Sequence, residues 1–305
     1  MRFFSYICKK WAVPYKIAKD TIDGVIEDNV TRLSASLAFA TLFSIIPFFS
    51  LLVTIGAWFD VDLTSQLYVY LEPVVSKEVI YAFQAVIENA KHTQGWSLTA
   101  IVSICVSIFG ATTVFAEIQG SLNLIWGIKA VPKKGWLKFL KNRLLSFSII
   151  LVFAFIMLVT FSVTNLITKL SHIFTENNPS VAKWVVMVVG MTMNIIVTAA
   201  VFTLIFKVLP DARIKVKDVC IGAFVTTILL MVGQWGISFY IGVADVGNVY
   251  GAAAFMAIFI TWIYYSAIII YTGAEFTKAW ANELGGKIVP DEYAVAVKEV
   301  EVHVP

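Results

Sequence analysis

The chain has 305 residues, of which 59% are hydrophobic and only 14% charged, and its mean hydropathy is +0.83. Soluble domains carry about 25% charged residues, so this composition excludes an ordinary cytosolic protein. The net charge of +3 is less informative than the positions of the basic residues along the chain.

Residues 1–32 precede the first long apolar run and mix charged with apolar side chains. Apolar residues recur at spacings of four, seven and four, at Trp11, Tyr15, Ile22 and Ile26. This pattern predicts an amphipathic helix, and we expect it to lie along the inner membrane surface.

Six apolar stretches follow, each long enough to cross a bilayer, because about 20 helical residues at 1.5 Å each span the hydrocarbon core. They cover residues 33–58, 97–117, 143–168, 181–206, 218–242 and 249–276. Unpaired backbone groups are not tolerated in lipid, and no alternating barrel pattern is visible, so all six are predicted to be helices. The fold class is therefore an all-α polytopic membrane protein, with its transmembrane domain at 33–280.

Small residues lie on one helix face in two places: Ser36, Ala40 and Ser44 in the first span, and Gly247 and Gly251 around the start of the sixth. Such faces allow close helix packing; a cavity lining is the alternative for the first span. Pro47 removes a backbone donor, so we expect a kink there.

The connection at 59–96 separates the first two spans. Its sequence places Val79, Phe83, Val86 and Ala90 on one face of a predicted helix. We expect a helical cap packed on the outer side of the bundle.

The connection at 119–142 combines lysines with large apolar residues, namely Leu122, Ile125, Trp126, Trp136 and Phe139. Long amphipathic side chains of this kind favour a membrane interface. We expect a helical elbow half-sunk in the inner leaflet.

Two glutamates, Glu117 and Glu275, end the second and sixth spans. Both positions are predicted helix C-termini, where the macrodipole disfavours a carboxylate, so each needs a cation or water. For Glu275 the candidate partners are Lys278, three residues further on, and Arg32. For Glu117 we expect a partner from another helix, with Arg32 and Arg143 as the candidates. Functional and structural roles remain open for both glutamates, and Glu117 is the stronger functional candidate.

Residues 281–305 form a tail in which Val300, Val302 and Val304 alternate with polar residues. The tail is expected to be frayed, with strand addition to a partner as the alternative.

Basic residues are distributed unevenly between the two predicted sides. All but four of the 23 lysines and arginines fall beside the ends that we place inside. Cytoplasmic loops carry this excess, so both termini are expected in the cytoplasm. The same residues predict contact with anionic lipid of the inner leaflet. Nucleic acid is not an expected partner, because no aromatic residues interleave with the basic ones.

No catalytic or metal-binding constellation is present in the sequence. The histidines, His92, His172 and His303, are scattered, and no HExxH, CxxC or phosphate-binding glycine loop occurs. We therefore expect neither an enzyme nor a cofactor. None of the three cysteines lies in a predicted outer segment, so no disulfide framework is expected.

Four segments, LSASLAFATLFSIIPFFSLLV, GATTVFAEIQGSLNLIWGI, LPDARIKVKDVCIGAFVTTIL and VYGAAAFMAIFITWIYYSAIIIYTGAEF, resemble in order those of the YihY/virulence factor BrkB family. The resemblance covers about residues 30–280. It implies a bacterial inner-membrane protein with about six helices and a task in the cell envelope, such as lipid or lipopolysaccharide export. The matching motif positions include Arg32, Pro47, Glu117, Asn123, Tyr250, Gly251 and Glu275.

The family's older label, ribonuclease BN, fits this sequence poorly, because phosphodiester hydrolysis uses metal-binding carboxylates or paired acid and base groups. The leading hypothesis is a transporter, flippase or export component for a lipid-like envelope molecule. The alternative is a non-transporting membrane scaffold for an envelope protein partner, and a homo-oligomer is a further option.

Overall fold

The computed structural model describes residues 2–58, 98–131, 179–244 and 254–297. This part of the chain is mostly helical. Its helices are α1 (Arg2–Glu27), α2 (Val30–Trp58), α3 (Leu98–Ile125), α4 (Pro179–Val208), α5 (Val216–Ala244) and α6 (Ala254–Glu283). Four short strands accompany them: β1 (Ile128–Ala130), β2 (Ala212–Arg213), β3 (Val289–Pro290) and β4 (Ala294–Ala296).

Helices α2 to α6 coincide with five of the six predicted spans. Among the described residues, two segments are long and apolar enough to cross a membrane, Met187–Val208 in α4 and Val216–Gly236 in α5. A shorter apolar segment, Val30–Ser44, lies in α2. The predicted third span at 143–168 and the cap at 59–96 lie outside the described residues.

The contacts divide the chain into two compact units. Unit 1 contains residues 1–30, 119–231 and 269–305, and unit 2 contains residues 31–118 and 232–268. Within unit 2, the rings of Phe39 and Phe43 on α2 contact each other at 4.6 Å between centroids. Unit 1 contains α1, α4, all four strands and the C-terminal part of α6.

Helix α1 is amphipathic, as the sequence predicts. Ile17, Thr21 and Gly24 are buried, whereas Tyr15, Ile22 and Ile26 are exposed. The exposed set belongs to the apolar stripe predicted for a membrane surface, so a different face of α1 contacts the protein. The helix ends at Glu27. Asn29, in the turn that follows, has a left-handed backbone (φ 50°) that asparagine tolerates better than most residues.

The strands come from residues after α3 (β1), after α4 (β2) and after α6 (β3 and β4). Strand β1 pairs antiparallel with β4, with Lys129 opposite Val295, and β2 pairs antiparallel with β3, with Ala212 opposite Pro290. A turn at Trp126–Gly127 leads into β1, where Gly127 has φ 64°. The backbone N–H of Val297 donates to the Gly127 carbonyl at 2.7 Å.

Two expectations are corrected by these strands. The helical elbow predicted at 119–142 is wrong for residues 126–131, because α3 ends at Ile125 and the chain continues as a turn and a strand. Leu122, Ile125 and Trp126 are buried in the protein instead of facing lipid. The tail is not frayed over residues 289–296, because β3 and β4 satisfy its backbone groups within the same chain.

Helices α5 and α6 pack through two reciprocal glycine and threonine contacts. A Cβ at Gly222 on α5 would overlap Thr277 on α6, and a Cβ at Gly273 on α6 would overlap Thr226 on α5. Each threonine hydroxyl donates to the carbonyl four residues earlier in its own helix, at 2.7 Å. The hydroxyls are therefore satisfied within their own helices, and the small residues allow close helix approach.

Candidate functional site

The site is centred on the carboxylate of Glu275, near the C-terminal end of α6. Its side chain is only 1% exposed. The Lys278 ammonium lies 3.3 Å from Glu275 Oε2 and donates to Asp28 Oδ2, after α1, at 3.1 Å. We call Asp28, Glu275 and Lys278 the Glu275 cluster. Of the two partners predicted for Glu275, Lys278 is the one that the structure places beside it.

Gly24 on α1 closes the cluster on one side. A Cβ at this position would lie 2.7 Å from Glu275 Cδ and 3.2 Å from Oε1. Only glycine therefore lets the backbone of α1 approach the carboxylate so closely without a shift in either helix. The backbone N–H of Asp28 donates to the Gly24 carbonyl at 2.9 Å, which positions Asp28 beside the same carboxylate.

The cluster carries two carboxylates and one ammonium. Lys278 is about one-third exposed and Asp28 about one-quarter, whereas Glu275 is enclosed. Among the described residues, Glu275 Oε1 has no hydrogen-bond partner. Burying an ionised carboxylate is costly unless its oxygens are paired. Glu275 Oε1 therefore lacks the pairing that a buried ionised carboxylate needs, and added positive charge at this oxygen would be favourable.

A second ion pair links the same two helices. Lys16 Nζ on α1 lies 2.6 Å from Glu283 Oε1 at the end of α6. The hydrogen bond to Glu283 and the charge of that residue raise the pKa of Lys16. Because Lys16 is more than half exposed, this pair adds little stability. The Lys16–Glu283 pair does show that α1 and the end of α6 lie side by side.

Asn123, one of the family-motif positions, holds the loop before β2. Its Nδ2 donates to Asp211 Oδ2 at 2.9 Å, and its Oδ1 accepts the backbone N–H of Asp211, also at 2.9 Å. The amide of Gln119 donates to the same carboxylate oxygen at 3.4 Å. Two of the quoted family segments are therefore joined by hydrogen bonds, which gives Asn123 a structural role in unit 1.

The indole of Trp126 connects the turn after α3 to α6. Its Nε1 donates to the backbone carbonyl of Ala274 at 3.2 Å, next to Glu275. The indole also contacts the ring of Phe206 on α4 edge to face, at 6.5 Å between centroids. The segment of α6 that carries Glu275 is thus held by a buried aromatic residue.

Each of the remaining predicted site residues has its own place in the chain. Glu117 is half-buried in unit 2 and Arg32 is exposed in the same unit. Within the described ranges, neither residue has an oppositely charged nitrogen or oxygen atom within 4.0 Å of its charged group. Pro47 lies within α2. Arg143, Gly247, Tyr250 and Gly251 lie outside the described residues.

Two members of the site were not predicted from the sequence. Gly24 and Asp28 belong to the N-terminal segment, which the apolar pattern assigns to the membrane surface. A signal was available in the same pattern, because Ile17, Thr21 and Gly24 recur at helical spacing on the face opposite the exposed stripe. A stripe ending in glycine indicates a close helix contact.

In the part of the chain that the structure describes, no group of three or more His, Cys, Asp or Glu side chains could hold a metal ion. The cluster's own chemistry is that of a buried carboxylate with a shared ammonium. It can bind and release a proton or exchange its ion-pair partner.

Long apolar helices and a buried charged cluster are together the features of a helical membrane protein. The chain belongs to the virulence factor BrkB family, whose model matches residues 21–295.

Relatives of this chain include UPF0761 membrane proteins from three bacteria. The Chromobacterium violaceum protein is 26% identical over 258 residues, which are 82% of this chain and 58% of the relative. The Pseudomonas paraeruginosa protein is 26% identical over 256 residues (82% and 59%). The Paraburkholderia xenovorans protein is 24% identical over 264 residues (83% and 57%). The chain spans less than three fifths of the length of these curated relatives. No solved structure matches it.

Proposed function

We propose that the protein is a multi-pass transporter, flippase or export component of the bacterial inner membrane, acting on a lipid-like envelope molecule. The observation that carries this proposal is Glu275, a 1% exposed carboxylate in a helix that the sequence assigns to the membrane. Ionisable groups at such positions are expensive and occur mainly along transport and proton pathways.

Stability alone does not account for the Glu275 cluster. Apolar residues of similar volume often replace a buried ion pair without loss of stability. A complete pair would also leave no carboxylate oxygen without a partner, whereas Glu275 Oε1 has none among the described residues. The arrangement therefore fits a carboxylate that changes its charge or its ion-pair partner during transport better than it fits a purely stabilising ion pair.

The basic residues supply the orientation in this proposal. Their excess beside one set of helix ends predicts that both termini face the cytoplasm, and with that orientation the Glu275 cluster lies toward the cytoplasmic face. Anionic lipids of the inner leaflet are the expected membrane partners. The proposed function involves no chemical reaction and no cofactor.

A lipid-movement assay tests the proposal. The purified chain is reconstituted in vesicles that contain a fluorescent anionic phospholipid, and a membrane-impermeant quencher reports how much of the lipid reaches the outer leaflet with time. We expect faster exchange between leaflets than in protein-free vesicles. Vesicles holding an unrelated helical membrane protein at equal density control for unspecific lipid disturbance, and equal rates in the two samples would refute transport of this lipid class.

A membrane scaffold is the second candidate, and the packing of unit 1 favours it. The reciprocal contacts of Gly222 with Thr277 and of Gly273 with Thr226 join α5 and α6 closely, and the tail is fixed by two strand pairs. A scaffold needs such rigidity and no moving charge. It predicts no lipid movement, together with recovery of one envelope protein, or a second copy of this chain, after crosslinking in intact cells.

A further inference from the structure

We propose that Glu275 is a proton-binding site, and that Lys278 responds to its charge by shifting between Glu275 and Asp28. This inference rests on the proposed function, because it assigns the proton as the ligand that drives the same site. Proton binding would also change the Asp28–Lys278–Glu275 link between α1 and α6.

The geometry of Lys278 supports two arrangements of the cluster. The ammonium lies 3.1 Å from Asp28 Oδ2 and 3.3 Å from Glu275 Oε2, so it is shared at similar distances by two carboxylates. Neither pairing is short for a charge-assisted hydrogen bond, for which about 2.7–2.9 Å is usual. A change of charge on either carboxylate therefore decides where the ammonium moves.

The oxygen Oε1 is where the proton is added. It is buried, and it has no hydrogen-bond partner among the described residues. A proton taken from water on the inner side forms an O–H bond at Oε1, and the carboxylate becomes a neutral acid. The reverse step breaks this bond and returns the proton to water, so no other reactant is needed.

A metal cation is a poorer ligand for this site than a proton. Lys278 already occupies the position between the two carboxylates, and its charge would repel a second cation. An anionic ligand is disfavoured by the carboxylates themselves. A proton adds to Oε1, the oxygen that the ammonium does not contact, and needs no space between the two carboxylates. It is therefore the cation that the geometry admits.

The surroundings of Glu275 define what the proton changes. Asp28 and Lys278 are the charged groups beside the carboxylate, the Tyr271 hydroxyl lies one turn earlier on α6, and the Lys16–Glu283 pair lies further along the same helix contact. With Glu275 neutral, Lys278 pairs with Asp28 alone. The link between α1 and α6 then rests on Asp28, and the carboxylate is free to leave Gly24.

Infrared difference spectroscopy tests the proton site without a transport substrate. Spectra of the reconstituted protein at about pH 9 and about pH 6 are subtracted, a range in which ordinary carboxylates with a pKa of about 4.3 stay ionised. We expect a carboxylic acid C=O band to gain intensity at the lower pH. The band should be absent from Glu275→Gln and unchanged in Glu27→Gln, which alters an exposed glutamate at the end of α1.

A band that is missing in the wild type, or that persists in Glu275→Gln, would overturn the proton site. If Glu275→Gln does not fold, Lys278→Gln replaces it: loss of the ammonium should make the band form at higher pH, and an unmoved band would overturn the proposal. Lipid movement in the same vesicles separates the two proposals. Movement without the band refutes only the proton site, and the band without movement refutes only transport.

Discussion

Gly24→Ala tests the contact between α1 and Glu275 most sharply. In a helix, alanine is favoured over glycine by up to about 1 kcal/mol, so helix propensity alone predicts stabilisation. The new methyl group, however, would lie 2.7 Å from Glu275 Cδ, and overpacking of this kind costs about 1–3 kcal/mol. We expect a net destabilisation of about 1–2 kcal/mol, seen as a lower midpoint of thermal unfolding in detergent.

The same substitution should change sign when the carboxylate is removed. In a Glu275→Ala background the three atoms nearest to the new methyl group are removed, so Gly24→Ala should raise the unfolding midpoint above that of Glu275→Ala alone. Gly120→Ala is the matched control, because nothing lies within 4 Å of a Cβ at Gly120, and it should be neutral or stabilising in both backgrounds. An equal effect of Gly24→Ala with and without Glu275 would refute the proposed contact.

Three further predictions concern unit 1. Gly222→Ala should lower the unfolding midpoint by an amount equivalent to about 1–3 kcal/mol, and Thr277→Gly should restore it; failure of this rescue would contradict the reciprocal packing. Asn123→Ala should cost about 1–3 kcal/mol because it removes both hydrogen bonds between Asn123 and Asp211, and Asn123→Asp should be less stable at neutral than at acidic pH because two carboxylates then repel each other. Lys278→Met should destabilise by about 1–3 kcal/mol through loss of a charged hydrogen bond, whereas Lys278→Arg should cost less; equal unfolding midpoints would argue against a shared ammonium.

The sequence predicts the helices well because the membrane imposes long apolar runs, and five predicted spans coincide with α2 to α6. The pairing of Glu275 with Lys278 is also predictable, because residues three apart share a helix face. These are local relationships, set by composition and helical period, and the structure confirms them.

Long-range relationships were not predictable in the same way. Asp28 and Lys278 are 250 residues apart and Asn123 and Asp211 are 88 apart, and no local pattern specifies such partners. The elbow prediction failed beyond Ile125 because amphipathic composition does not distinguish a face buried in protein from one buried in lipid. The tail prediction failed because its strands β3 and β4 are short and find β2 and β1 only in the folded chain.

Glu117 and Glu275 show the limit for site prediction. Both were predicted to end their helices, but in the structure Glu117 and Glu275 each lie eight residues before the end of α3 or α6. Both also match family segments, so the sequence ranks them by their local partners alone. The structure separates them by burial: Glu275 is enclosed, whereas Glu117 is half-buried. The lysine three residues away in sequence therefore does not make Glu275 a surface residue. In the structure Lys278 is shared between Glu275 and Asp28, which follows α1.

The central claim, that Glu275 serves transport, is tested most directly by comparing lipid movement between Glu275→Gln and Glu27→Gln vesicles of equal protein content. The glutamine at 275 keeps the size of the side chain and removes its charge, and the exposed position 27 controls for loss of one carboxylate. We predict that Glu275→Gln falls to the protein-free rate while Glu27→Gln keeps the wild-type rate. Wild-type lipid movement in folded Glu275→Gln would contradict the account.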